Sequence, residues 1–172
     1  MKRIILILAL FICSEKIFAQ IPASGYSVNT TMGPYHGTWK WTNGIDELTI
    51  YLVTKKVYFH AGERAFYADC LVGWHIYKKA GVVIESSYGS INNVESRTIR
   101  LNNEDEPPGV VRGTFEDITK NKSCELSLKL NAAQNELIWK LAATPGFNIT
   151  TADDPIYQPG FTLPKHLILI KQ

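Results

Sequence analysis

The chain has 172 residues, with 18 Lys and Arg against 16 Asp and Glu, and hydrophobic residues make up 45% of it. That is the size of one ordinary domain with enough apolar side chain for a single core. A balance so close to neutral gives no electrostatic footprint for nucleic acid or an anionic membrane.

Residues 1–19 have the three zones of a cleavable export signal. Lys2 and Arg3 form a basic start, Ile4 to Cys13 an apolar run, and Ala19 a small residue before a cut at Gln20. The run is too short for a bilayer span, which takes about 20 residues. Cys13 has Leu10 three residues ahead of it, but bulky Ile12 directly before it disfavours lipid attachment relative to plain cleavage. Loss of residues 1–19 removes Lys2, Arg3, Lys16 and Glu15, leaving 15 charges of each sign by subtraction from the whole chain. The expected compartment is periplasmic or extracellular. There the two remaining cysteines, Cys70 and Cys124, are expected to form a disulfide, with buried free thiols as the alternative.

Residues 20–36 are polar, lack periodicity and read as a flexible leader to a single β domain over 37–172. From Gly37 a period-two pattern takes over. Thr38 to Thr42 alternates, with Trp39 and Trp41 on one face, and Asn43-Gly44 marks a turn. Leu48 to Val53 is a strand, Lys55-Lys56 a turn, and Val57 to Ala61 another strand. Ala65 to Tyr77 is long and puts Phe66, Cys70, Val72 and Trp74 on one face, taken as the inner one. Gly73 in its middle suggests a bulge or bend.

Val82 to Tyr88 follows as a strand, and Arg97 to Leu101 as a short edge strand. Residues 102–109, with Pro107 and Pro108, read as a loop. Val110 to Phe115, then Cys124 to Leu130 with inward Cys124, Leu126 and Leu128, resume the sheet. Residues 132–143 carry both a helical stripe and a strand pattern; the strand is preferred because Cys124–Leu130 needs a partner. Residues 144–164 contain four prolines and form a long excursion, whose Phe147, Ile156, Tyr157 and Phe161 are expected partly over one end of the fold. Leu167 to Ile170 closes the chain as a strand.

About nine strands with short turns give an all-β, antiparallel up-and-down meander. A closed barrel is favoured over a two-layer sandwich because closure removes exposed edges.

Gly37-Thr38-Trp39, opening the first strand after a polar leader, resembles the Gly-x-Trp start of lipocalins. That resemblance implies an up-and-down barrel with a tryptophan plugging one end and an interior that often holds an apolar ligand. Gly37-Thr38-Trp39, Gly73-Trp74-His75, Ile84 to Tyr88, Phe115 to Lys120 and Phe161 to Pro164 are similar, in that order, to a family of short secreted bacterial proteins of unknown function. This second resemblance implies export and fold and carries no chemistry.

Catalytic patterns are weak. His36, His60, His75 and His166 show no closely spaced metal-ligand pair, and His75, opposite the Trp74 face, is expected to be exposed or capped. Glu85 and Asp69 are the only acid–base pair considered, for glycoside hydrolysis, which depends on the distance between them. Ser86 and Ser87 lack a nucleophile elbow, and no cofactor motif is present. The preferred expectation is a non-enzymatic barrel binding a small apolar or amphipathic ligand through Trp39, Trp41, Trp74, Tyr157 and Phe161. The alternatives are a solid-core interaction module presenting residues 144–164 and the carboxylate hydrolase.

Overall fold

A computed structural model describes residues 25–61, 64–105, 109–144 and 158–172. Among these residues ten strands run in chain order: β1 (Tyr26–Ser27), β2 (Gly37–Asn43), β3 (Asp46–Ala61), β4 (Arg64–Lys79), β5 (Val82–Ser86), β6 (Ile99–Asp105), β7 (Val110–Asp117), β8 (Lys122–Leu130), β9 (Glu136–Ala143) and β10 (His166–Lys171). Residues 1–19, Tyr157 and the prolines at 107, 108, 145 and 155 lie outside the described residues.

Eight of these strands, β2, β3, β4, β6, β7, β8, β9 and β10, close into an antiparallel barrel, and β1 and β5 are appended to β4. The meander closes at two places. Lys171 of β10 pairs with Trp39 of β2, and Leu71 to Gly73 of β4 pair with Ile99 to Leu101 of β6. The first and last barrel strands thus leave no open edge between them.

Turn chemistry sets several registers. Gly44 and Gly81 take positive φ at 64° and 77°, and Ala80 joins Gly81 at 50°. Ala80 and Gly81 therefore link β4 to β5 in a two-residue turn with positive φ at both positions, the twist a tight hairpin favours.

The expected turn at Lys55-Lys56 is absent. The strands expected on either side of it are one strand, because Lys55 pairs with Cys70 and Lys56 with Asp69 in an unbroken ladder between β3 and β4. Residues 102–105, expected as loop, extend β6, which pairs on both sides rather than lying at an edge. The strand pattern wins over the helical one at 136–143, where Leu137, Trp139 and Leu141 turn inward.

The core is the barrel interior, where alternate positions of each strand converge. Trp39, Ile50, Leu71, Phe115, Leu126 and Trp139 are all buried there. Phe115 meets Trp139 edge-on at a centroid distance of 5.5 Å and His75 at 5.1 Å. Residues 25–36, expected as a leader without structure, are part of the fold: Tyr26 pairs with Tyr67, while Met32 and Tyr35 are buried in the core. The indole Nε1 of Trp39 donates to the Tyr35 carbonyl at 2.8 Å, and Lys171 Nζ lies 5.1 Å from the Trp39 ring.

The inner face expected for β4 is reversed. Leu71, His75 and Tyr77 point inward, whereas Cys70, Val72 and Trp74 belong to a second buried cluster on the outer face with Val57, Tyr51 and Ile91. Because successive residues alternate across a strand, buried Leu71 fixes Cys70 and Trp74 outside. The expected disulfide is likewise corrected. Cys70 is on the outer face, Cys124 is inside, and both are free thiols separated by the barrel wall. Burial, the dominant cause, pushes the Cys124 thiol up to about 11, with Asp117 adding to it.

Glycine provides room at two strand contacts. A Cβ on Gly113 would stand 2.0 Å from the Arg100 carbonyl oxygen and 2.7 Å from Leu101 Cα. One on Gly73 would stand 2.7 Å from the Tyr51 carbonyl oxygen, so Gly73 serves close strand approach and not the expected bulge.

Two outcomes are expected. Gly113→Ala must push β6 from β7 and should destabilise by about 1–3 kcal/mol or more, read by chemical denaturation. Thiol titration of unreduced, denatured protein beginning at Gln20 should find both Cys70 and Cys124 free. In the folded state at pH 8, Cys124 should resist iodoacetamide, since only about one thiol in a thousand is ionised.

Candidate functional site

The barrel has two differently closed ends. At the end where β2 begins, Met32, Tyr35 and Trp39 close the interior, and Lys171 Nζ donates to the Pro34 carbonyl oxygen at 3.1 Å. At the other end the closure is polar. There β5 folds back along β4, and residues 158–164 return from the long excursion toward β10.

His75 occupies the inner face of β4 at this polar end. It is fully buried, contrary to the expected exposed or capped histidine. Its Nε2 lies 2.9 Å from Glu85 Oε1 on β5, and its Nδ1 lies 2.8 Å from Thr98 Oγ1 just before β6. Ser87 Oγ is 2.9 Å from Thr98 Oγ1 and accepts the His75 backbone N–H at 3.0 Å. The second oxygen of Glu85 accepts the Thr119 backbone N–H at 2.8 Å.

One proton arrangement satisfies the whole chain of contacts. Ser87 donates to Thr98, Thr98 to Nδ1 of His75, and Nε2–H of His75 to Glu85. Four separate segments are joined by it: β4, β5, the entry to β6 and the turn between β7 and β8. Burial raises the Glu85 carboxyl pKa, yet the hydrogen bonds from His75 and Thr119 outweigh burial and hold it below the ordinary 4.5.

A second buried carboxylate supports the returning chain. Asp117 accepts the Thr162 backbone N–H and hydroxyl, both at 2.7 Å, and the Lys120 backbone N–H at 3.0 Å. Lys120 and Lys122 donate to the carbonyl oxygens of Pro159, Gln158 and Gly160. These contacts lay Phe161, half-buried, and Leu163, buried, against the core.

The expected ligand residues therefore separate. Trp39 lines the interior, Trp41 and Phe161 are partly buried against it, and Trp74 lies outside the wall. Tyr157 lies outside the described residues. Asp69 and Glu85 have separate partners, Glu85 being held in the His75 cluster. Asp69 instead accepts the Tyr26 hydroxyl at 2.6 Å and the Asn29 backbone N–H at 3.1 Å, fastening the N-terminal segment to β4.

Trp139 inside the barrel and Trp74 on its outer face each carry a buried indole N–H with no partner among the described residues. The Trp139 ring is fully buried. Sequence reasoning sees Trp139 only as one of four tryptophans that fit either core packing or a cavity, because an unpaired indole N–H leaves no mark on the pattern. The His75 cluster was missed because both faces of β4 are apolar, which conceals the inner one.

Among known proteins, the model of DUF6705, a family of unknown function, matches residues 1–172. No curated protein matches, and no solved structure matches.

The Glu85 contacts set a pH dependence. A carboxyl with a lowered folded pKa stabilises the fold above its unfolded value, and that stabilisation is lost as pH falls through the folded value. The melting temperature should therefore decline below about pH 4.5, and Glu85→Gln should flatten that decline. At neutral pH the same substitution should cost about 1–3 kcal/mol by leaving the buried network mismatched.

Proposed function

We propose, from the premise that the chain belongs to the DUF6705 family, that it is an exported, non-enzymatic barrel holding a small amphipathic ligand. The observation that carries this reading is the indole N–H of Trp139, buried in the barrel core and without a partner among the described residues. A buried donor left unpaired costs about 1–3 kcal/mol. A ligand with an apolar body and one hydrogen-bond acceptor recovers that cost and buries its own apolar surface.

Eight-stranded barrels are just wide enough to be filled by side chains or to hold one small ligand. The partly buried Trp41 and Phe161 are the adaptable apolar groups against the core. Entry beside Phe161 requires movement of the returning segment, which the Asp117 contacts hold in one position. The polar cluster supports a closing role over catalysis, since both ring nitrogens of His75 and both oxygens of Glu85 are already engaged. Export is supported by the basic, apolar and small-residue zones of residues 1–19.

The solid-core interaction module is the second reading. The ring contacts of Phe115 with His75 and Trp139 favour it, because they fill the lumen at that level. One experiment separates the two. Dodecanoate, an amphipathic probe, should shift the Trp139 indole resonance, and Trp139→Phe should weaken its capture about tenfold while leaving the melting temperature level or higher. Native mass spectrometry should also find a small molecule on protein taken from its own envelope. An unmoved indole resonance and a bare protein would leave the solid-core module. Processing is checked separately: N-terminal sequencing should start at Gln20, and a lipid-modified species starting at Cys13 would contradict it.

A further inference from the structure

On the outer wall, away from the interior and its ligand, a cleft of roughly 170 Å3 opens beside β6 and β7. It is lined by Glu95, Arg97, Thr98, Arg100, Thr114 and Glu116. We propose that this cleft is a binding site for a small zwitterion, a free α-amino acid, with its carboxylate on Arg100 and its ammonium on Glu116.

Size comes first. Drug-sized ligands occupy about 300–1,000 Å3, so the cleft is matched to something much smaller. Charge then selects among small ligands. Two arginines and two glutamates line the cleft, giving no net charge, so a phosphate dianion would meet two carboxylates at close range. A neutral molecule carrying both signs meets no such opposition.

The four charges are not equivalent. Arg97 Nη1 donates to the Val94 carbonyl oxygen at 2.7 Å and lies 3.6 Å from exposed Glu95, so Arg97 is engaged within its own turn. Arg100 has no ion-pair partner among the described residues. Among the described residues Glu116 is held through Oε1 alone, by the Ser123 hydroxyl at 3.0 Å. A cation and a carboxylate are therefore both left with unused capacity.

Strand register places them suitably. Arg100 pairs with Thr114, and Glu116 lies two residues beyond Thr114 on the same face of β7. Two residues along a strand span roughly 6.5–7 Å. An α-amino acid's carboxylate and ammonium bridge such a span with one charge-assisted hydrogen bond at each end, each about 2.8 Å long.

The floor is preorganised. Thr98 is nearly buried and its hydroxyl is fixed by His75 and Ser87, so this wall does not need ordering when ligand arrives.

The test is an amide-resonance titration of the full chain with L-serine, with acetate, methylammonium and inorganic phosphate as separate probes. Serine should shift the Arg100, Thr114 and Glu116 amides, and acetate and methylammonium should each bind at least about tenfold more weakly. Arg100→Gln and Glu116→Gln should each weaken serine about tenfold or more without moving the melting temperature, whereas Lys129→Gln should change nothing. Three results would overturn the assignment: no shift with serine up to about 10 mM, acetate or phosphate binding as tightly as serine, or full serine affinity in Arg100→Gln. The Trp139 indole lies inside the barrel and reports dodecanoate independently, so either site can fail without the other.

Discussion

The second edge of β4 is the constraint on which the rest of the molecule depends. Every strand has two rows of backbone donors and acceptors, and each buried row needs partners. One edge of β4 is filled throughout by β3, from Glu47 opposite Lys78 to Ala61 opposite Arg64. The other edge is divided among three segments. β1 takes Tyr67 and Ala68, β6 takes Leu71 to Gly73, and β5 takes Ile76 to Lys79. The middle share closes the barrel, and Gly73 permits the close approach of neighbouring strands there.

The two outer shares account for both decorations of the barrel. β1 is only two residues long, and Asp69 fastens the chain beside it through Tyr26 and Asn29. With that segment anchored, Met32 and Tyr35 reach the core and close one end. At the opposite end, β5 brings Glu85 and Ser87 to His75, and Glu85 continues to the turn at Thr119. A buried carboxylate and a buried imidazole would each be costly alone. Joined and fully hydrogen-bonded, they become a rigid polar closure.

These closures determine what remains for function. Among the described residues the Trp139 indole is a donor inside the barrel without a partner, whereas both ring nitrogens of His75 and both oxygens of Glu85 are engaged. In the outer cleft, Thr98 is held by His75 and Ser87, while Arg100 and Glu116 Oε2 have no ion-pair partner among the described residues. Thr98 is the residue common to the cleft on the outer wall and the buried network behind it.

The sequence by itself determined the all-β class, the antiparallel meander and the inner faces of β2 and β8, because alternation is unambiguous where one face is apolar and the other polar. Trp39, Leu126 and Leu128 fall inside as their patterns require. It did not determine the inner face of β4, where Leu71 and Val72 are both buried and period two carries no sign. Trp74, Cys70 and His75 were therefore placed on the wrong sides, and the disulfide expectation failed with them. Nor could it reveal that Asp69, Glu85, Ser87 and Thr98 have separate roles, since those contacts join segments distant along the chain. Only the tertiary structure decided these points, because barrel closure chooses which row of β4 faces inward and brings β5, the β6 entry and Thr119 within hydrogen-bond distance.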